Sequence, residues 1–430
     1  MVMSAWTGAR SKVVSVRSSV ATRYRLPVPI PPVAQAASAT PVPSVDRFPV
    51  GVLPIDVAAD LVDAASPADL VDVLGGVPLL AVDLTMAPAP TMAPVTATDL
   101  PTATDLPTGS VMARAGVVTA ALDRLAQARP PIVIVGVVAG GCPPTGLAVG
   151  APDILLTAGT GEIAKAGARA GTPGAVDVDD LADALARLVR QVRAHPLAAV
   201  ALVGLLRLTA TLAPLDGLVA ESLAYSTLLA GPEFTAWLAG RGPMRHRDSA
   251  EPMRVRRAGG QLRLTLNRPE VRNAYDTATR DALVAALRAA RSDGDITEVL
   301  LDAAGPAFSS GGDLSQFGTA PDPATAHVIR VAAGAAAELV RFPGRVTAHV
   351  HGACVGAGVE LPAFADHVVA ARDAVFRLPE VGMGLVPGAG GTVSITRRIG
   401  PARTAWLALT GEPCDVVTAV RWGLVDDCAG

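Results

Sequence analysis

The stretch HGACVGAGVELPAFAD, residues 351–366, is glycine and small apolar residues around one internal carboxylate, Glu360, and it closes on Asp366. Burying a charge is expensive unless the charge is paired or has a role. The pattern returns in RLPEVGMGLVPGAGGT (377–392), where Glu380 is the lone acid. Both segments place a Gly-rich turn at the opening of a small-residue helix. Such turns present bare backbone N–H groups, and at a helix N-terminus those donors suit an anion or a developing oxyanion. The glycine turn of PAFSSGGDLSQF (306–317), facing the turn before Glu360, would make a two-donor oxyanion hole, with Glu360 pointing back at the same space.

Working outward, RVTAHVHG reads as a strand feeding residue 351, and LRLTLN (262–267) alternates as a strand should. TRDALVAALRAARSD (279–293) is an amphipathic helix with Asp281 near its N-terminus, EVLLDAA a strand, and TAHVIRVAAGAAAELVRF one helix. The first half repeats this alternation. VPLLAVDLT (77–85), PPIVIVGVVAG (130–140) and GAPDILLTAG (150–159) are apolar runs bounded by Gly and Pro, with helical spacing over 117–128 between the first two. In each half a strand, a glycine-rich turn, a small-residue helix and a strand opened by Asp (Asp153, Asp366) follow in order. The alternation predicts an α/β fold of two tandem units. The first-half turn, AGGCPPTGL, carries no acid, so chemistry is expected only in the second unit.

Composition narrows the function. Net charge is −3 with no basic stripe, which argues against nucleic acid. No run of about 18 apolar residues is uninterrupted; the richest, 195–218, is cut by Arg207, Pro214 and Asp216. Cys142, Cys354, Cys414 and Cys428 lack metal-ligand spacing and read as reduced thiols in a cytoplasmic protein. Residues 1–45 carry five basic residues and no acid. They read as a disordered arm, with a transit peptide or an early start codon as the alternatives. The repeat TATDLPTATDLP marks 86–110 as an exposed loop insertion. RHRDSAEPMRVRRAG places a linker at 244–254, between a first domain over 46–243 and a second over 255–430.

The motifs LNRPEVRNA, AFSSGGDL, HGACVGAGVEL, FRLPEVGMGLVPGAGGT, RRIG and RWGLVD together resemble the enoyl-CoA hydratase/isomerase (crotonase) family, from about Val255 to Asp427. The resemblance implies a crotonase-like fold of repeated ββα units, the first unit being degenerate. It places the two polarising amides on Ser310 and Gly356, the two catalytic glutamates on Glu360 and Glu380, and a water-holding amide on Gly388. It places coenzyme A near Arg268, Arg272, Ala307, Phe308, Gly311 and Asp313, the last as a helix cap. His349 and His351 are expected to pack in a strand. With both glutamates present, the implied reaction is addition of water to a 2-enoyl-CoA. No cofactor is implied beyond the coenzyme A of the substrate, and a homo-oligomer, trimer or hexamer, is expected. Isomerase, thioester hydrolase, retro-Claisen hydrolase and cofactor-free oxygenase chemistry stay open, as does a non-catalytic acyl-CoA-binding subunit.

One departure stands out. The family's closing helices are missing after Gly430, whereas LDGLVAESLAYSTLLAGPEFTAWLAGRGP in the first half resembles them. The expectation is that the first unit kept the tail and lost the site, the second the reverse, and that residues 195–243 pack near the Glu360 helix.

Overall fold

The computed structural model describes residues 53–64, 74, 76–84, 120–138, 152–158 and 174–429. The arm over 1–45, the insertion over 86–110 and the turn AGGCPPTGL with Cys142 lie outside the described residues.

In the first half, β1 (Leu53–Pro54), β2 (Leu79–Asp83), β3 (Val133–Val138), β4 (Ile154–Ala158) and β5 (Val176–Val178) pair in that order, all parallel. The β-branched run VIVGVV of β3 is buried throughout, as a parallel strand covered on both faces requires. Val133, Val135 and Val137 face the larger core. Ile134 and Val138 face a smaller one, under α1 (Ile55–Ala64) and α2 (120–128). Four helices follow β5: α3 (Leu181–Ala194), α4 (Pro196–Thr209), α5 (Pro214–Leu229) and α6 (Pro232–Arg241). Asp180 caps α3 through the amides of Ala182 and Asp183. Pro196 opens α4 after a bend of 109°. Among the described residues no single helix is long and apolar enough to cross a membrane.

The second half begins with the antiparallel hairpin β6 (Met253–Ala258) and β7 (Gln261–Leu266). Its sheet runs β14-β11-β9-β8-β7-β6 and is parallel beyond the hairpin, with β8 (Glu298–Ala303), β9 (Arg345–Val350), β11 (His367–Ala371) and β14 (Asp427–Ala429). A small sheet joins β10 (Ala353–Val355) to β12 (Val375–Arg377) in parallel and β12 to β13 (Cys414–Asp415) antiparallel. The helices are α7 (Thr277–Ser292), α8 (Pro323–Ala333), α9 (Ala335–Arg341), α10 (Ala357–Glu360), α11 (Gly391–Ile399), α12 (Pro401–Thr410) and α13 (Val416–Trp422). The single helix expected over 325–342 is two, broken at Gly334, whose extended ψ of 128° ends α8. The cap of α7 is Asp276, whose side chain accepts from the Thr279 amide; Asp281 pairs with its neighbour Arg280.

The internal repeat has a structural signature. Asp153 donates its N–H to Ile134 O, and its Oδ2 accepts the Ile134 N–H. Asp366 makes the same two bonds with Val346. Each Asp thereby starts a strand by clamping the one before it.

Residues 46–243 and 255–430 are not separate bodies, because Val45–Gly430 forms one compact unit. The reason is the tail: α4 and α5 pack on α11 rather than closing over their own sheet alone. Thr209 Oγ1 donates to Thr392 O at 3.0 Å, and a Cβ on Gly217 would sit 2.8 Å from Val393 Cγ2. Segment 244–254 is tied down as well, since His246 Nδ1 lies 3.0 Å from Ser315 Oγ.

Candidate active site

β9, β10 and β12 bring the four motif segments together. Val355 pairs with Arg377, while Ser309 bridges Cys354. The chain turns from β10 into α10 at Gly356, with φ 49° and ψ −118°. A Cβ there would lie 2.5 Å from Glu380 Oε1, so glycine is required by conformation and by space. Glu360 (2% exposed) and Glu380 (8%) line one cavity of about 450 Å³.

The two acids differ in their donors. Glu360 Oε2 accepts the N–H of Ala389 at 2.7 Å and of Gly391 at 2.9 Å, at the start of α11. Glu380 Oε2 is buried with no hydrogen-bond partner among the described residues. Burial pushes Glu360 up to about 7, its two amides pulling the other way. Burial, and then repulsion from Glu360, holds Glu380 well above the usual carboxylate range.

The expected amides need correction. The Ser310 N–H already donates to Arg272 O at 2.8 Å, and the Gly356 N–H to Arg377 O at 2.9 Å. The N–H groups of Gly312 and Ala357 have no acceptor among the described residues, and both residues line the cavity. Each lies just beyond a spent amide. Around Gly312, Tyr275 takes up Gly311 O and the Asp313 N–H. Gly356 makes the last rung on β12, and Ala357 is the first residue of α10, where an N–H has no intrahelical acceptor. A Cβ at Gly312 would meet Phe317 Cε2 at 2.7 Å, so a side chain there requires that ring to shift.

Most of the coenzyme A assignments also change. Arg268 is 1% exposed. Its guanidinium lies 3.2 Å from both Asp276 and Asp313 and donates to the carbonyls of Ala274 and Arg247, so it is not available to a phosphate. Ala307 and Phe308 are core side chains, and Gly311 lies off the cavity wall. Asp313 lines the cavity but caps residues 314–316 through the Ser315 amide; Ser315 and Arg268 hold its carboxyl below the usual range against burial. Arg272 is exposed, with a left-handed φ of 53°. His349 lies on β9 with its side chain exposed, and His351 lies just past the end of that strand, its Nε2 2.9 Å from Gly305 O; neither lines the cavity. Gly388 lines the cavity as expected.

Sequence reasoning missed the roof. Tyr225, Leu229, Phe234 and Leu238, all from the tail, line the same cavity as the glutamates. The ring of Tyr225 lies on Gly388, where a Cβ would be 2.4 Å from Cδ2. A third buried acid, Glu221 of α5, is 2% exposed. It accepts from the Gly390 N–H at 2.7 Å, the Thr392 N–H at 3.0 Å and Thr392 Oγ1 at 2.7 Å. Burial, and then Glu360, pushes it up to about 8. The amides of residues 389–392 thus alternate between Glu360 and Glu221. The rule that singled out Glu360, a lone acid in an apolar helix, applies equally to LVAESLAYS.

The sequence profile of enoyl-CoA hydratase/isomerase matches residues 256–429. A probable enoyl-CoA hydratase of Rhizobium meliloti is 33% identical over 197 residues, which cover 41% of this chain and 68% of that protein. The chain belongs to the enoyl-CoA hydratase/isomerase family. Similar relatives include the trans-2-decenoyl-[acyl-carrier-protein] isomerase of Streptococcus mutans, 34% identical over 39% of this chain and 65% of the relative. The 2,3-dehydroadipyl-CoA hydratase of Escherichia coli is 36% identical over 39% and 64%. The chain therefore spans just under two thirds of those two proteins. Among solved structures, Pseudomonas aeruginosa AtuE is 35% identical with a TM-score of 0.40, over 42% of this chain and 70% of that one. In this member of the enoyl-CoA hydratase/isomerase family, Glu221, Tyr225 and the rest of the roof lie outside the matched stretch.

Proposed function

We propose that the chain adds water across the double bond of 2-enoyl thioesters of coenzyme A. The observation that carries this reading is the pairing of two unequal buried glutamates with two unengaged amides in the lining of one cavity. The thioester oxygen accepts from the N–H groups of Gly312 and Ala357, which stabilise the enolate as it forms. Glu360, held toward its carboxylate form by two amides, takes a proton from water while the water oxygen bonds C3. The C2=C3 electron pair passes to the enolate and then to a proton delivered to C2 by Glu380, whose hold on a proton is strengthened by burial and by the neighbouring Glu360. The proton on Glu360 returns to Glu380 through the next water bound between them, in reach of the Gly388 N–H. Arg272 is the exposed cation on the segment expected to meet coenzyme A phosphates. The exposed Leu215, Val219 and Leu223 on α5 support the expected homo-oligomer.

The test is loss of enoyl-thioester absorbance with crotonyl-CoA. Wild type should turn over, and E360Q and E380Q should each lose about 10²–10⁴ in kcat. A folded but silent wild type rules the reading out. Isomerisation is a second reading, favoured by the unpartnered Glu380 oxygen, which fits one group that takes and returns a proton. Faster turnover of a 3-enoyl-CoA than of crotonyl-CoA selects it.

A further inference from the structure

The cavity holding the glutamates adjoins a second one of about 210 Å³, and Tyr275, Arg280, Arg330, Gly388 and Ala389 line both. Ala389 is hydrogen-bonded to Glu360, so the junction starts beside the reacting centre. Three arginines line the second cavity. Arg280 is paired with Asp281, and Arg341 with Glu338. Arg330 has no carboxylate within ion-pair distance among the described residues.

Arg330 is nevertheless drawn inward and held in place. It projects from α8 over the Tyr225 ring, 4.4 Å from the centroid. Its Nε donates to Ser222 Oγ at 3.2 Å, and its Nη2 contacts Ser226 Oγ and Ser222 O. His327 Nδ1 sits 2.9 Å from the same Ser222 Oγ. Nη1 has no acceptor among the described residues. Burial lowers the Arg330 pKa, yet an arginine keeps its charge. The acid whose field reaches it, Glu221, spends its oxygens on three donors at the start of α11. Hydroxyls and a ring face orient this cation without neutralising it. A partly desolvated guanidinium with one fork edge open is a receptor for a carboxylate.

We propose that Arg330 binds a carboxylate at the far end of the acyl group, so that the preferred ligands are ω-carboxyacyl thioesters of coenzyme A. The proposal rests on the acyl-thioester reading of the site and adds the class of acyl group. The catalytic half supplies the cation, and Ser222, Tyr225 and Ser226 of the tail aim it.

Calorimetric binding of saturated thioesters tests it without relying on turnover. Succinyl-, adipoyl- and suberoyl-CoA are compared with butyryl-, hexanoyl- and octanoyl-CoA. At one of the three lengths wild type should prefer the carboxylated ligand by about ten- to a hundredfold. R330M should lose that preference while holding the neutral ligand within about threefold. R330K, which keeps the charge but not the fork, should retain part of the preference, and it serves alone should R330M not fold. Equal binding of each pair, or a preference that survives in R330M, overturns the proposal and leaves the acyl-thioester reading intact. Binding of no thioester overturns both.

Discussion

Glu221→Ala removes the one carboxylate through which the tail grips the start of α11. Three donors, the amides of Gly390 and Thr392 and the Thr392 hydroxyl, lose their acceptor in a buried setting. A buried donor left without an acceptor costs about 1–3 kcal/mol. Desolvation that the buried carboxyl group no longer suffers offsets part of the sum, leaving about 3–5 kcal/mol. With unfolding entropies near 2 cal/mol/K per residue, Tm should fall by about 4–6 °C. Activity should fall too. The neighbouring amides of Ala389 and Gly391 hold Glu360, so a shifted helix start misplaces the base, at about ten- to a hundredfold in kcat. E221Q, which keeps one acceptor oxygen, should lie between E221A and wild type. Melts and crotonyl-CoA kinetics on the three proteins provide the readout. If E221A melts within 1 °C of wild type and keeps its kcat, the tail does not hold the catalytic helix start.

Two further outcomes follow from the geometry. Below pH of about 7 Glu360 takes up a proton and no base remains, so kcat/KM should fall about tenfold per pH unit; a profile flat from pH 7 to 5 contradicts the assignment of the base. R268M leaves Asp276 and Asp313 without their cation and should lower stability by about 3–5 kcal/mol in urea, with the affinity for free coenzyme A unchanged; the reverse pattern returns Arg268 to the phosphates.

What the sequence made legible was local. Glu360 and Glu380 stand out because a charge in a glycine-rich apolar segment has few bland explanations. Gly356 and Gly388 follow from the same turns, and the strands came from their β-branched runs. The amides were misplaced because a turn's sequence does not say which N–H a neighbouring strand has claimed; Ser310 and Gly356 were spent, and the free donors were Gly312 and Ala357. Arg268 reads as a charge on a polar turn until Asp276 and Asp313 close on it from elsewhere in the chain. Glu221 and Arg330 were missed for a related reason. Their meaning arises only where α5 crosses α8 and α11, a contact between residues more than a hundred positions apart.

The tail gives the molecule a property that its separate parts lack. The roof over the glutamates is threaded on the same polypeptide as the floor, so its local concentration is fixed by the chain and not by the supply of other copies. Dilution leaves the roof in place. The first sheet, though expected to do no chemistry, becomes the anchor of that roof through the buried clasp of Arg207 on Asp153.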